Sequence, residues 1–300
     1  MFAAFIPSKE SGECHPLTVT RPLSAIPLAN KPLRYWVSCT LHDAGFSLGD
    51  GTLVNELTAY LYDNVWLDPS DARLIATQTE PMLLRTTDGR LLGAIGRQSH
   101  DILPALTLRF SWPIFYPWDL LKLNEQLIGE IVDSAIEGEI SPLASITGTL
   151  HLGTGSRILP GVYLEGTVLI GQNCKIGPNA YLRGPLAIDD DCHVGQSVEI
   201  KASILMRKVA VGHLSYVGDS IIGEGCNFGA GTITANFRHD SQNHRSMVNG
   251  ALVDTGRRKF GAILGDGVHT GIHTSIYPGR KLWPHTSTRP GQIVQKDLLA

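Results

Sequence analysis

The sequence predicts a mainly β protein whose C-terminal half is a parallel β-helix of hexapeptide repeats. Every sixth residue from Ile140 to Ile200 is aliphatic: Ile140, Ile146, Leu152, Ile158, Leu164, Ile170, Ile176, Leu182, Ile188, Val194 and Ile200. Several are followed directly by glycine (Gly153, Gly171, Gly177, Gly195). A helix needs apolar recurrence near 3.6 residues and a simple strand near 2, so neither accounts for the pattern. A period of six fits short strands and turns stacked into a solenoid. The glycines then serve turns that need positive φ or close backbone approach.

The repeat continues with two one-residue slips. Leu205, Val211 and Val217 follow a five-residue step, and Ile222 and Phe228 follow another. After a gap it returns at Leu264, Ile276 and Leu282, with Thr270 and Thr288 as polar exceptions. With three hexads per triangular turn, as in left-handed β-helices, this makes about seven coils, a prism ~34 Å tall at ~4.8 Å per layer. A solenoid is held by contacts between neighbouring coils and needs its ends covered, a role open to the N-terminal half.

The 25 basic and 28 acidic residues give a net charge of −3 with no basic block, which argues against nucleic acid as a partner. No apolar run approaches the ~18 residues of a membrane span, and the N-terminus lacks the basic and apolar regions of a signal peptide. A cytoplasmic protein is expected. Cys14, Cys39, Cys174, Cys192 and Cys226 form no CxxC. Cys174, Cys192 and Cys226 each lie four residues after an aliphatic hexad position, as expected of reduced core packing.

The gap between Phe228 and Leu264 is too long for a turn and has no repeat of its own. It carries Arg238, His239, His244, Arg245, Arg257, Arg258 and Lys259, cations suited to an anionic ligand. It follows the densest motif, VGHLSYVGDSIIGEGCNFGAGTITANF. There His213 lies at a coil edge beside glycine, near Lys201, Tyr216, Asn227 and Asn236 on nearby coils. A histidine with a pKa near 6.5 suits a general base. Acyl transfer to an amine needs such a base, and backbone N–H groups at the glycines suit the oxyanion.

At these residues a resemblance emerges. HVGQSVEIKAS, VGHLSYVGD and GAGTITANF resemble the acetyltransferase domain of bifunctional sugar-1-phosphate nucleotidylyltransferase/amino-sugar-1-phosphate N-acetyltransferases, hexapeptide-repeat enzymes. The similarity covers roughly residues 140–294. It implies that His213 is the general base, with Asn236 beside it, and that Arg183 and Lys201 contact the sugar phosphate. Tyr216 and Asn227 match amino-sugar contacts, and Lys259 matches a loop lysine reaching the same site. Ala230 and the coil edge near Thr232 would line the acetyl-CoA channel. The resemblance further implies a homotrimer with sites between prisms, acetyl-CoA as acyl donor and no metal for acetyl transfer.

The N-terminal half resembles the same family in part, implying a small α/β domain. HPLTVTRPLSAIPLANKPLRYWVSCTLHDAGF matches the opening of the nucleotidylyltransferase domain. The glycine-rich phosphate loop is replaced by IPSKESGEC, and Ser24 follows Arg21-Pro22-Leu23 where a lysine belongs. Asp43, Asp50 and Asp71 offer carboxylates, but no spacing singles them out. The expected organisation is therefore a truncated nucleotidylyltransferase-like domain with linker helix over residues 1–135, its nucleotidyl transfer lost. A β-helix acyltransferase domain over 136–300 carries an inserted loop at 235–262. Rival readings are a trimeric sugar-phosphate-binding pseudoenzyme and a γ-class carbonic anhydrase-like zinc enzyme using His193, His213, His269 or His273. An acyltransferase with another acceptor or donor is a further alternative.

Overall fold

The computed structural model describes residues 1–8, 11–49, 57–96 and 103–299. The chain divides into two compact units, Met1–Gly12 with Pro22–Ile26 and Lys31–Phe115, and Glu13–Arg21 with Pro27–Asn30 and Tyr116–Ala300. Asp50, and Lys9 and Glu10 in the substituted phosphate loop, lie outside the described residues.

In the first unit a mixed sheet is built from β1 (Phe2–Ile6), β2 (Ser47–Leu48), β3 (Ala59–Tyr62), β4 (Met82–Thr86), β5 (Leu91–Ile95) and β6 (Ala105–Leu108). Their order is β2-β1-β3-β5-β4-β6, and β1 runs parallel to both β2 and β3. Helix α1 (Leu33–Asp43) buries Leu33, Val37 and Leu41, the one-face spacing of an amphipathic helix. Helix α2 (Pro69–Ala76) starts where the Asp68 carboxylate accepts the Ser70 N–H at 2.7 Å, with Pro69 in the first turn. Asp71 is buried and accepts backbone N–H groups from Arg109, Phe110 and Ser111 at 3.1, 2.8 and 2.6 Å. It organises a turn. Asp43 sits on the surface beside His42.

The second unit is the solenoid. Three parallel sheets form its faces: eight strands from Ala135–Ile136 to Lys281–Leu282 on the first, seven from Glu139–Ile140 to His269–Thr270 on the second, and eight from Ser145–Thr147 to Ile293–Val294 on the third. The hexad aliphatics stack in register inside, for example Leu152, Ile170, Ile188, Leu205, Ile222, Leu264 and Leu282. Nearly all are fully buried and belong to one core, which the hydrophobic effect stabilises at ~25 cal/mol per Å² of apolar surface. Cys174, Cys192 and Cys226 point into the same core as free thiols, each with its Sγ on a carbonyl of the next coil. The polar exceptions pair with other threonines: Thr270 Oγ1 lies 2.8 Å from Thr232 Oγ1, and Thr288 Oγ1 lies 2.7 Å from Thr274 Oγ1. A hydroxyl inside an apolar prism is tolerated because it finds a partner.

The outward row of the first face, Leu169, Ala187, Ile204, Ile221 and Ile263, is also buried. Helix α3 (Pro117–Gly129) packs on the strand Leu186–Ile188 of this face. Asn124 of this helix accepts the Ala29 N–H at 2.8 Å, and Asn30 donates to the Ile188 carbonyl at 2.8 Å. Arg21 Nη2 pairs with Asp266 at 2.5 Å and Glu224 at 3.1 Å. Residues from the PLTVTRP and PLANKP segments are thus part of the solenoid unit. The expected boundary between residues 135 and 136 falls inside the first solenoid strand, Ala135–Ile136, and leaves the helix that packs on this sheet outside the β-helix domain.

The 235–262 insertion is more ordered than its lack of hexads suggests. It forms an antiparallel hairpin, Arg245–Val248 with Ala251–Asp254. Asn249 and Gly250 both adopt positive φ at its turn, the two-residue geometry that Asn-Gly favours. Arg257 holds the loop to helix α3 through Glu125, with Nη1–Oε2 at 3.2 Å, and Phe260 packs edge-on against Trp118 at 5.9 Å.

Candidate active site

The third face supplies two outward rows. One runs Tyr163, Tyr181, Glu199, Tyr216 and Ile233, and the other Glu165, Arg183, Lys201 and Gly218. Parallel in-register stacking brings side chains eighteen or seventeen residues apart into contact.

The five-residue slip before Ile222 shortens the corner between the third and first faces. Asp219 occupies that corner at φ +50° and is buried. Its Oδ2 accepts from Lys201 Nζ at 3.3 Å and from Asn236 Nδ2 at 2.6 Å. Asn236 Nδ2 also donates to the Tyr216 hydroxyl at 2.8 Å. Both amide hydrogens are therefore committed, which fixes the amide orientation, because a carboxylate can receive only the NH2 side. The Asn236 Oδ1 has no hydrogen-bond partner among the described residues. Burial, followed by the Asp219 charge, raises the Tyr216 pKa above its ordinary value, so the phenol stays protonated. Gly218 makes the arrangement possible: a Cβ there would strike the Tyr216 hydroxyl and lie 2.6 Å from Asn236 Nδ2.

Arg183 lies one coil from Lys201 in the same row. Its Nε pairs with Glu165 and its Nη1 with Glu199, both at 3.0 Å, over the Tyr181 ring. These carboxylates, Glu199 first, push its pKa up, and the Tyr181 hydroxyl followed by Arg183 holds Glu165 below the usual carboxylate range.

His213 ends the strand Ala210–His213 on the second face, just before the corner leading to Tyr216. Its carbonyl accepts from Ser215 Oγ at 2.8 Å and the Gly231 N–H at 3.2 Å. The imidazole is exposed, with no hydrogen-bond partner among the described residues. The backbone is pinned and the ring is open to a ligand.

The loop returns to this region. Lys259 pairs with Phe237 in an isolated antiparallel bridge, and the Phe260 N–H donates to the Asn236 carbonyl at 3.0 Å. His244 Nε2 lies 2.9 Å from the same carbonyl, and burial lowers its pKa. Lys259, immediately before Phe260, is exposed.

The structure joins Tyr216 and Asn236 directly and Lys201 to them through Asp219, holds Lys259 beside Asn236 through the backbone, and stacks Arg183 next to Lys201. It does not bring in Asn227 or Ala230. Asn227 projects from the second face between Ala210 and His269, and the Ala230 carbonyl accepts the His273 N–H at 2.8 Å. The Thr232 side chain is interior and paired with Thr270, so only the backbone there can border a channel. Asp219, Glu165, Glu199 and Gly218 were missed from sequence, and His244, read there as a loop cation, instead supports the Asn236 carbonyl. The five-residue step was the available signal for Asp219. Among the described residues no cluster of three or more His, Cys, Asp or Glu could hold a metal within one chain, and no helix is long and apolar enough to cross a membrane.

Residues 158–288 match the family model described as the GMPPB C-terminal domain. The C-terminal region is similar to a bifunctional sugar-1-phosphate nucleotidylyltransferase/acetyltransferase of Sulfurisphaera tokodaii, 39% identical over 182 residues, 61% of this chain and 45% of that protein. A bifunctional protein GlmU of Methanococcus maripaludis is 48% identical over 197 residues, 65% of this chain and 47% of its own. The chain spans about half the length of the curated relatives it matches. Among solved structures, a putative acetyltransferase of Bacillus cereus shares 18% identity over 56% of this chain and 83% of its own. Its TM-score of 0.25 is too low to carry an argument.

Proposed function

Because its C-terminal region is homologous to the bifunctional sugar-1-phosphate nucleotidylyltransferase/acetyltransferases, we propose that this chain is an acetyl-CoA-dependent N-acetyltransferase acting on an amino-sugar 1-phosphate. The observation that carries the reading is the Lys201–Asp219–Asn236–Tyr216 network around an outward cationic row, with the unpartnered His213 imidazole at the preceding corner.

In this reading His213 removes a proton from the attacking amine. The nitrogen adds to the thioester carbonyl, the tetrahedral oxyanion collapses, and CoA leaves as the thiol while the N-acetyl sugar is released. The Tyr216 O–H and Asn236 Oδ1 orient the sugar, and Lys201, Lys259 and Arg183 offset the phosphate charge. The protein works as a homotrimer, with Asn227 and Ala230 facing a neighbouring copy's site. Asn227 stands on the second face and Ala230 in the turn that follows it, one coil beyond His213, both off the face that carries the network, which is the reason for assigning them across a subunit boundary.

Nucleotidyl transfer is lost in this account. The Asp63 carboxylate accepts the Ser8 N–H at 2.8 Å just after β1, so a negative charge holds a backbone donor of the kind a triphosphate needs. Asp71 is committed to backbone donors and Arg21 to solenoid carboxylates. The test supplies acetyl-CoA with glucosamine 1-phosphate or galactosamine 1-phosphate and, separately, each nucleoside triphosphate with a sugar 1-phosphate. CoA release in the first and no pyrophosphate in the second is expected. Pyrophosphate release would refute the assigned loss, and an intact trimer silent with both amino sugars would refute the acetyltransferase reading.

A further inference from the structure

We propose that Arg157 and Lys175 of a second copy complete the phosphate end of this site, Lys175 beside Arg183 and Arg157 against Glu165. The proposal deepens the sugar-phosphate reading above and rests on it. One chain by itself has a charge deficit there. Around Arg183 the third face carries Glu165, Glu199 and Asp219 against Arg183 and Lys201. Lys259 of the loop at most balances them. A phosphate monoester carries a charge of about −1.5 to −2 near pH 7, and a surface without net positive charge does not attract it.

The missing cations stand on the second face. Its outward row runs Arg157, Lys175 and His193, stacked in register one coil apart. Arg157 and Lys175 are exposed, and neither side chain has a hydrogen bond or ion pair among the described residues. Glu139 precedes Arg157 in the row without pairing to it. Like charges opposite one another on neighbouring strands are destabilising, so this row gains from an anion to share. Asn227, assigned above to a neighbouring copy's site, belongs to the same row two coils beyond His193.

The third face is suited to cover this row. Tyr163, Ile233 and Ile293 point outward from it and are 39, 40 and 57% exposed. Apolar side chains gathered on one face mark an interface. A ring of identical prisms about an axis parallel to their own has no displacement along that axis, so each coil meets the same coil of its neighbour. Arg157 shares its coil with Glu165, and Lys175 shares the next with Arg183. With the second face against the third, Arg157 meets the Glu165 carboxylate and loosens its hold on the Arg183 Nε. Lys175 comes level with Arg183, and the phosphate is the anion they share. The two added cations make this end of the site positive.

Calorimetric titration of the full chain with glucosamine 1-phosphate and galactosamine 1-phosphate tests this. Lys175→Ala should weaken binding about tenfold or more while light scattering shows the ring intact. Mixed rings tell which copy supplies the lysine. When Lys175→Ala and Arg183→Ala chains with different tags are co-expressed, each mixed ring has a boundary at which both side chains are present. That boundary should bind as tightly as the parent, and rings of either variant alone should not. Arg157→Glu should weaken assembly by setting a carboxylate against Glu165, and adding Glu165→Arg should restore it. Binding indifferent to Lys175→Ala, no recovery in mixed rings, or no restoration by the paired reversal would each overturn the proposal. A parent that binds neither sugar phosphate would overturn it too. Binding that follows the expected pattern without acetyl transfer would support the proposal and refute the acetyltransferase reading alone.

Discussion

Asp219 and Asn236, seventeen positions apart, meet at 2.6 Å because one coil of the prism is a residue short. The shortened corner turns the Asp219 carboxylate back along the third face, where Lys201 and Asn236 share it.

Asp219→Asn keeps the shape and removes the charge that Lys201 faces. The Lys201 side chain is 16% exposed and that of Asp219 5%, so breaking the pair should cost about 1–3 kcal/mol, discounted for partial exposure. Thermal denaturation should show Tm lowered by about 3–8 °C, with KM for the sugar phosphate raised. An unchanged Tm would mean that the pair adds nothing to the fold. Gly218→Ala should damage the same network by driving a methyl into Tyr216 and Asn236.

Arg183 faces two carboxylates, so a phosphate must compete with Glu165 and Glu199 for it. Arg183→Ala should raise KM for the sugar phosphate far more than for acetyl-CoA, and Glu199→Gln should lower it by freeing one guanidinium edge. Equal effects on both substrates would place Arg183 outside the phosphate site.

His244 predicts an acid-sensitive loop. Its folded pKa is lowered by burial, so below its unfolded value of about 6.5 the unfolded chain binds a proton that the folded chain resists. Its contribution is intact above that pH and is lost as pH falls toward the folded value. Hydrogen exchange at the hairpin Arg245–Val248 should therefore rise below pH ~6.5. His244→Gln, which retains a donor for the Asn236 carbonyl, should flatten the dependence. A slope unchanged in the variant would assign it to another group.

The solenoid was legible because its period has no competitor: a helix and a simple strand both fail on Ile140 to Ile200. The interior threonines looked like defects from sequence, since a lone Thr at a hexad position gives no hint of its partner fourteen or thirty-eight residues away. Asn249-Gly250 was a readable hairpin signal inside an insertion otherwise defined only by what it lacked. The covered outer row on the first face was not legible, because Leu169, Ala187 and Ile204 differ little from interior aliphatics. Nor was the place of Arg21, which family resemblance groups with a nucleotide motif and charge complementarity with Asp266 groups with the solenoid. The candidate site was legible for the residues that lie on one strand row, and not for Asp219, whose role depends on a deletion.

The Thr232–Thr270 pair gives a direct test of the polar interior. Thr270→Val alone should cost about 1 kcal/mol by removing one hydrogen bond of the Thr232 hydroxyl, which keeps its bond to the Gly229 carbonyl at 2.7 Å. The double variant with Thr232→Val should cost less than the sum of the singles, a coupling of at least ~0.5 kcal/mol in denaturant titrations. Strict additivity would show that the hydroxyls act independently.

The central claim is that His213 takes the proton in acetyl transfer. The most direct test is steady-state kinetics of His213→Ala with acetyl-CoA and the better amino-sugar 1-phosphate, on a variant whose oligomeric state and Tm match the parent. The account predicts kcat lower by about 10²–10⁴ with KM little changed. Turnover at the parent rate would contradict it.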